Sequence, residues 1–351
     1  MESRRMIITA VRFVMGIALA LGLLYGVLKS TESDLWGALY EAETSLLLVA
    51  LVFQGLIICI ASYRWNLLLR VQGICLRAWD VIRLTMIGIF FNLTLPGSVS
   101  GDLVKMAYVT RQTSTSKAEA VLTVLLDRVI GVFGLFIVAS VMVVYQLPFL
   151  LSLDVEFQAV QVTAFLVGLG SIAGIFGIVI LKTRQRIMSL LWIASLKHYL
   201  ARKLPDSILS TITRLANALD LYSKHAGVTG IAVILSILVH SCLAINLYLI
   251  GRSLGEVALR LRDFFLVVPV SNAIAAIPIT PAGIGTRDAV TAMFFKAMQV
   301  QGEAVGIIPV TLTLIILFWG LVGGMVFIFS RIPQPAPHFT SGKPKEQVLE
   351  N

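Results

Sequence analysis

Six long apolar runs dominate this sequence and restrict what it can fold into. A helix that crosses a bilayer needs about 20 predominantly apolar residues, and each run is about that long or longer. The runs lie at residues 7–28, 45–63, 120–147, 158–181, 227–250 and 304–330. Because only 13% of the residues are charged, about half the share in a soluble domain, the sequence predicts an all-α polytopic membrane protein with six full transmembrane helices.

Lys and Arg residues are concentrated in the segments on one side of these runs. When the runs are threaded from a cytoplasmic N-terminus, most of the 28 basic residues fall in cytoplasmic segments. This distribution predicts that both termini lie in the cytoplasm and that the protein resides in the bacterial inner membrane. The net charge of +9 is then a topology signal and a contact with anionic lipids, and no nucleic-acid partner is expected.

Two further apolar segments, 84–95 and 264–279, are too short to cross the membrane comfortably. Each leads into a Pro/Gly-rich break that closes with an acidic residue, LPGSVSGD at 95–102 and IPITPAGIGTRD at 277–288. Irregular backbone within a bilayer persists only where protein or a wet cavity satisfies its N–H and C=O groups. We therefore expect two broken re-entrant hairpins, the first entered from the cytoplasm and the second from outside.

The two breaks belong to stretches that align with each other. One alignment places Asp102 opposite Asp288, and its continuation places Glu119 opposite Glu303. The first stretch starts from outside and the second from the cytoplasm, which predicts an inverted repeat of the kind found in secondary transporters. The repeats extend over about 45–147 and 227–330, within a single domain of residues 1–330.

Charged residues within the third run favour an anion-binding site at these breaks. A helix that restarts after Pro-Gly directs unpaired N–H groups and about half a positive charge into the cavity. Asp127 and Arg128 lie about 12–13 Å further along the helix than Glu119. Two interpretations are open. Arg128 either pairs with Asp102 and only holds the hairpin, or binds an anionic headgroup that a carboxylate replaces in the empty state.

Three other polar residues in the runs have more ordinary interpretations. Arg64 closes the second run, where we expect an interfacial side chain that snorkels to the membrane surface. His240 and Asn246 in the fifth run either line a pathway or serve helix packing.

The segments outside the runs carry no enzymatic signature. Residues 182–226 are basic and amphipathic, which predicts interfacial helices on the cytoplasmic leaflet, and the Pro-rich residues 331–351 predict a disordered tail. No phosphate-binding Gly loop, HExxH or GxSxG motif occurs, and the three cysteines have no metal-site spacing. We therefore expect no catalytic activity, no cofactor and no metal.

Three sequence blocks together resemble a known family. NLTLPGSVSGDLVKMAYV (92–109), AVLTVLLDRVIG (120–131) and PITPAGIGTRDA (278–289) are similar to the transmembrane region of lysylphosphatidylglycerol synthases, also called flippase-like membrane proteins. In two-domain members this region is associated with moving an aminoacylated phospholipid between leaflets, and a cytosolic domain makes that lipid. The present sequence resembles a stand-alone form without the cytosolic domain, so lysyl transfer is not expected.

The resemblance and the breaks together imply a function and a site. We expect a flippase or transporter that moves a phospholipid or a lipid-linked anionic headgroup between leaflets. The alternative is a membrane component or scaffold of a lipid-modifying or polyprenyl/glycolipid transferase pathway, with a soluble or membrane synthase as partner. The residues predicted to bind the headgroup are Asn92, Pro96, Gly97, Ser98, Gly101, Asp102, Lys105, Asp127, Arg128, Thr280, Pro281, Gly283, Gly285, Thr286, Arg287 and Asp288.

Overall fold

The computed structural model describes residues 34–95, 100–112, 117–182, 224–277, 279–300 and 302–329, together with residues 22, 25, 29, 221 and 222. All regular elements in these ranges are helical. Several predictions lie outside the described residues, namely nearly all of the first run at 7–28, most of the basic segment 182–226, the tail 331–351, and the predicted binding residues Pro96, Gly97 and Ser98.

Eleven α-helices follow one another along the described part of the chain. In order they are α1 (Leu35–Glu41), α2 (Thr44–Val71), α3 (Ala78–Thr94), α4 (Ser100–Gln112), α5 (Lys117–Tyr145), α6 (Leu147–Leu151), α7 (Gln158–Lys182), α8 (Ala226–Ser253), α9 (Leu261–Ala275), α10 (Thr286–Ala297) and α11 (Ala304–Phe329). Two single-turn 3-10 helices lie at Val155–Phe157 and Pro281–Gly283.

Four of these helices, α2, α5, α8 and α11, are long and apolar enough to cross a membrane. They occupy the second, third, fifth and sixth of the predicted runs. The fourth run is occupied by α7, an apolar helix of 25 residues that is about 37 Å long at 1.5 Å per residue. The protein is therefore an all-helical polytopic membrane protein, which confirms the predicted fold class.

The two short apolar segments form α3 and α9. These helices have 17 and 15 residues, at or below the lower limit for crossing a bilayer. After each of them the chain passes a Pro/Gly-rich stretch and begins a new short helix, α4 with 13 residues or α10 with 12. The helices thus stop and restart at the two predicted breaks. That each hairpin returns to the side from which it entered stays a prediction.

The helices form two matching sets of four, α2 to α5 and α8 to α11. The first set has 28, 17, 13 and 29 residues, and the second has 28, 15, 12 and 26. Within each set the first helix packs against the second, the second against the third and the third against the fourth. The packing is therefore repeated along with the order of the helices.

The first helices of the two sets, α2 and α8, pack together and run in opposite directions. Where α2 begins and α8 ends, the backbone N–H of Glu43 donates to the carbonyl oxygen of Ser253 at 2.8 Å. At the other end the Tyr222 hydroxyl donates to the Leu68 carbonyl oxygen at 2.8 Å. Burial raises the pKa of Tyr222, which keeps this hydroxyl protonated. Equivalent helices are thus antiparallel, as an inverted repeat requires.

Each broken helix packs against the last helix of the other set, α3 on α11 and α9 on α5. Glycines allow the close approach of α3 and α11. A Cβ on Gly323 would overlap the carbonyl oxygen of Met86, and one on Gly324 would lie 2.9 Å from ring carbons of Phe90. Because of this crossed packing, the turn at Pro281–Gly283 contacts α3. The second break therefore lies beside the helix that leads into the first.

Candidate functional site

The first break is closed by a direct contact between α3 and α4. Asn92, near the end of α3, accepts a hydrogen bond on Oδ1 from the backbone N–H of Gly101 at 2.8 Å. This bond satisfies one of the N–H groups that a helix leaves unpaired in its first turn. A Cβ on Gly101 would overlap the backbone of Gly88 in α3, so the contact needs glycine. The predicted residues Asn92 and Gly101 thus position the start of α4.

Asp102, the next residue of α4, contacts two cationic side chains. Its Oδ2 accepts a hydrogen bond from Nη1 of Arg128 on α5, and its Oδ1 lies 4.0 Å from Nζ of Lys105. Lys105 also lies over the indole ring of Trp65 on α2, with Nζ 5.1 Å from the ring centroid. The structure thus contains the Arg128–Asp102 pair, which was one of the two roles for Arg128 that the sequence left open.

Asp127 pairs with a residue that was not among the predicted binding residues. Arg64 donates from Nε to Oδ1 of Asp127 at 2.8 Å and from Nη2 to Oδ2 at 3.1 Å. This bidentate geometry is among the strongest that an arginine and a carboxylate form. Nη1 of Arg64 also donates to the Ser236 hydroxyl on α8 at 3.0 Å.

The prediction that Arg64 snorkels to the membrane surface is wrong. Arg64 is only 7% exposed, and α2 continues beyond it to Val71. Nothing in the sequence around Arg64 indicates Asp127, because the two residues are 63 positions apart. The one available signal is that Asp127 itself lies deep in an apolar run and needs a positive partner.

His240 and Asn246 both bridge helices. The imidazole Nε2 of His240 lies 3.0 Å from the carbonyl oxygen of Gly131 on α5, which also accepts from the Ser236 hydroxyl at 3.2 Å. Nδ2 of Asn246 donates to Oε1 of Gln54 on α2 at 2.9 Å. Helix packing, one of the two roles considered for these residues, is therefore present.

Five charged residues form what we call the inner charged cluster: Arg64, Asp102, Lys105, Asp127 and Arg128. Three of these five described side chains are cationic and two are carboxylates, so their formal charges sum to +1, which we call the excess charge of the cluster. The side chain of Arg128 is 34% exposed, whereas those of Asp102, Lys105 and Asp127 are 13–14% exposed. The excess charge is therefore partly buried, with Arg128 as its most accessible part.

At the second break, Arg287 and Asp288 lie in the first turn of α10 and form a buried pair. Nη2 of Arg287 donates to Oδ1 of Asp288 at 3.0 Å and also contacts the Thr313 hydroxyl on α11. That hydroxyl lies 2.9 Å from both carboxylate oxygens, and the backbone N–H of Gly285 donates to Oδ2 at 2.8 Å. Asp288 is completely buried and Arg287 is 6% exposed. The charges in this pair are balanced.

The remaining predicted residues of the second break shape its backbone. Gly283 and Gly285 have φ angles of 70° and 80°, which favour glycine, and a Cβ on Gly283 would lie 2.6 Å from Cβ of Ala275. The Thr286 hydroxyl donates to the carbonyl oxygen of Gly283 at 3.0 Å and lies 3.3 Å from the hydroxyl oxygen of Thr280. Pro281 is buried in the 3-10 turn.

The two breaks therefore differ chemically, although the sequence predicted binding residues at both. The first lies in a partly exposed cluster with excess positive charge, and the second in a closed, neutral pair. That either one binds a headgroup stays a prediction. In the described ranges no group of three or more His, Cys, Asp or Glu side chains is placed to hold a metal ion.

Comparison with known proteins agrees with this architecture. The family model described as "Lysylphosphatidylglycerol synthase TM region" matches residues 12–330. A protein named UPF0104 membrane protein from Pyrococcus horikoshii is 25% identical over 339 residues, which are 91% of this chain and 96% of that relative. Another UPF0104 membrane protein, from Methanocaldococcus jannaschii, is 22% identical over 274 residues, which are 75% of this chain and 77% of that relative.

Proposed function

The chain belongs to the lysylphosphatidylglycerol synthase transmembrane-region family, and from this premise we propose that it moves a lipid with an anionic headgroup between the leaflets of the cytoplasmic membrane. The headgroup binds at the inner charged cluster, beside the first break. The cytoplasmic side of the protein is the side that carries most of the basic residues, and both termini lie there.

The observation that carries this proposal is the excess positive charge of the inner charged cluster. A net charge held partly away from water is unfavourable, and a ligand of opposite charge reduces that cost. One phosphodiester group carries one negative charge, which matches the excess of one. We therefore infer that the cluster selects a phosphodiester headgroup.

Within the cluster the carboxylates act as counter-ions of the empty state. Asp102 engages both Arg128 and Lys105, the two cationic side chains nearest the break. An incoming phosphodiester competes with Asp102 for these cations, while the bidentate pair of Arg64 and Asp127 keeps α2 and α5 in place. Arg128 and Lys105 therefore exchange the Asp102 carboxylate for the phosphodiester, and neither cation is left unpaired.

The antiparallel repeats supply a route for exchange between leaflets. In inverted-repeat transporters, one repeat rocks against the other around a site between them. Here α2 and α8 form one of the contacts between the repeats, and Arg64 on α2 reaches Ser236 on α8 across it. The inner charged cluster lies beside this contact, so rocking of the repeats would open it to one side and then to the other.

Binding is tested by native mass spectrometry of the gently purified protein, with wild type compared with Arg128→Gln. We expect wild type to retain a phosphodiester-bearing lipid and the variant to lose most of it. Arg83→Gln is the matched control, because it removes one positive charge from α3, where Arg83 pairs with Asp80 outside the cluster. Equal lipid retention by wild type and Arg128→Gln would contradict the proposal.

Transport is tested with the same variants in proteoliposomes that contain a fluorescent phosphodiester lipid. We expect the exchange rate between leaflets to fall at least about tenfold in Arg128→Gln, which corresponds to about 1.4 kcal/mol, and to be maintained in Arg83→Gln. We also propose that the protein has no catalytic activity of its own and takes its lipid from a separate synthase. Turnover of a radiolabelled aminoacyl or glycosyl donor by the purified protein would argue against that.

A further inference from the structure

The two polar contacts between α2 and α8 are equivalent under the internal repeat. Both helices have 28 residues, so Gln54 corresponds to Ser236 and Arg64 corresponds to Asn246. The bond from Arg64 to Ser236 and the bond from Asn246 to Gln54 therefore join equivalent pairs of positions, at 3.0 and 2.9 Å.

The equivalence extends to the third member of the charged contact. The alignment that places Glu119 opposite Glu303 also places Asp127 opposite Thr311. Asp127 lies on α5, which packs against α2, and Thr311 lies on α11, which packs against α8. By position, the trio of Arg64, Ser236 and Asp127 thus corresponds to three neutral residues, which we call the neutral trio: Asn246 and Gln54, which are bonded to each other, and Thr311, which the alignment assigns.

The charged trio is fully paired, whereas the neutral trio leaves two buried oxygens without partners. Oδ1 of Asn246 and Oγ1 of Thr311 have no hydrogen-bond partner among the described residues. Asn246 is completely buried and Thr311 is 3% exposed, so neither oxygen reaches bulk solvent. An unpaired buried polar atom is costly, and each such atom in a folded protein calls for an explanation.

Side-chain length accounts for the missing bonds. Arg64 spans the interval from α2 to Asp127 with a long side chain, whereas the carboxamide of Asn246 ends three bonds earlier, about 4 Å shorter. Thr311 is also shorter than the aspartate that it replaces. The neutral trio therefore lacks the cationic group that occupies the equivalent position in the other repeat, and its two unpartnered oxygens are the atoms that a small ion would contact.

We propose that the neutral trio binds a small monovalent cation such as Na⁺. The carbonyl oxygen of Asn246 only accepts hydrogen bonds, so its missing partner is a donor or a cation. The equivalent position in the other repeat holds a positive charge, the guanidinium of Arg64. All three residues are neutral, which suits a monovalent ion and disfavours a divalent one that needs carboxylates for charge balance. This inference does not depend on which lipid the protein carries.

The test is the thermal stability of the full-length protein in detergent. Unfolding is followed in NaCl, LiCl and KCl, and in N-methyl-D-glucamine chloride at the same ionic strength. A ligand that binds only the folded state raises Tm, by roughly 3 °C at about ten times its dissociation constant. We expect at least one of the three small cations to produce this rise relative to N-methyl-D-glucamine.

Thr311→Val tests whether the Thr311 hydroxyl binds the ion, because valine has nearly the same shape as threonine and lacks the oxygen. Without small cations we expect this variant to be at least as stable as wild type, and with them we expect the rise in Tm to be lost. Thr85→Val is the matched control, since Thr85 is also buried but its hydroxyl donates to the Val81 carbonyl oxygen. It should keep the full response.

Two outcomes overturn the proposal. If Tm of wild type is the same in all four salts, the two oxygens hold water or nothing, and the neutral trio is not an ion site. If Thr311→Val responds to the small cations as strongly as wild type does, the ion binds elsewhere.

Discussion

Two arginines of this protein, Arg64 and Arg287, are more than nine-tenths buried in helices of an apolar chain. A buried charge of this kind costs several kcal/mol unless a partner neutralises it and accepts its hydrogen bonds. Asp127 supplies the negative charge and the hydrogen-bond acceptors for Arg64, and Asp288 does the same for Arg287. At this scale the fold is held by matched ion pairs, one in each repeat.

The pair at the second break leads to a prediction about stability. Asp288→Asn removes the negative charge that balances Arg287 and weakens the bonds from Thr313 and the Gly285 N–H. We expect the free energy of unfolding to fall by about 3 kcal/mol, because an uncompensated charge stays buried. The measurement is unfolding in mixed micelles.

Asp80→Asn is the control for this measurement. Asp80 pairs with Arg83 within α3, and the side chains of the two residues are 20% and 26% exposed. A pair of this kind contributes about 1 kcal/mol or less. A loss in Asp288→Asn no larger than in the control would show that the pair at the second break is not a structural anchor.

At the scale of helices, the breaks depend on close backbone contacts as much as on charge. Gly101 of α4 touches the backbone of Gly88 in α3, and Gly283 of the second turn touches Ala275 at the end of α9. The sequence indicated the breaks through Pro and Gly. It did not indicate which helix each glycine would touch, because the spacing of residues along the chain does not determine how close two helices approach.

Gly101→Ala tests the contact between α3 and α4. Its methyl group overlaps the Gly88 backbone, so the two helices have to separate, and we expect a loss of about 2 kcal/mol or more in the free energy of unfolding. Lipid retention should fall as well, since Asp102 follows directly.

Gly230→Ala is the opposite case and serves as the control. Gly230 lies in α8 with no atom within 4 Å of the position that a Cβ would occupy. Alanine is the better helix former, so we expect a gain of up to about 1 kcal/mol. A Gly101→Ala protein as stable as wild type would contradict the contact.

At the scale of the whole molecule, the two repeats are antiparallel about the α2–α8 contact. The loop between α2 and α3 and the loop between α8 and α9 are equivalent, so they belong on opposite sides of the membrane. Combined with the distribution of basic residues, this predicts that Cys75 lies in the cytoplasm and Val257 outside.

Labelling of intact cells with a membrane-impermeant maleimide tests this topology, in proteins that lack Cys59 and Cys242. Cys75 and Val257 are both exposed in their loops, so neither is protected by the fold. We expect Val257→Cys, in a background that also lacks Cys75, to react in intact cells. Cys75 should react only after the membrane is permeabilised. Reaction of both positions from the same side would rule out the inverted arrangement.

The amino-acid sequence by itself determined that this is a membrane protein, and it determined the positions of its helices and of the two breaks. Apolar run length and Pro-Gly pairs are local properties of the chain, and they are enough to predict which segments cross a bilayer and which stop short. The weak alignment of Asp102 with Asp288 was also enough to indicate a repeat. The structure adds the antiparallel contact of α2 with α8.

Only the tertiary structure decided which polar side chains meet. Arg64 could have reached the membrane surface, and Arg128 could have paired with its neighbour Asp127. Instead, Arg64 reaches Asp127, 63 positions away, and Arg128 reaches Asp102, 26 positions away on the preceding helix. In a low-dielectric interior every charge must find a partner, but several partners satisfy that requirement. Helix packing selects among them.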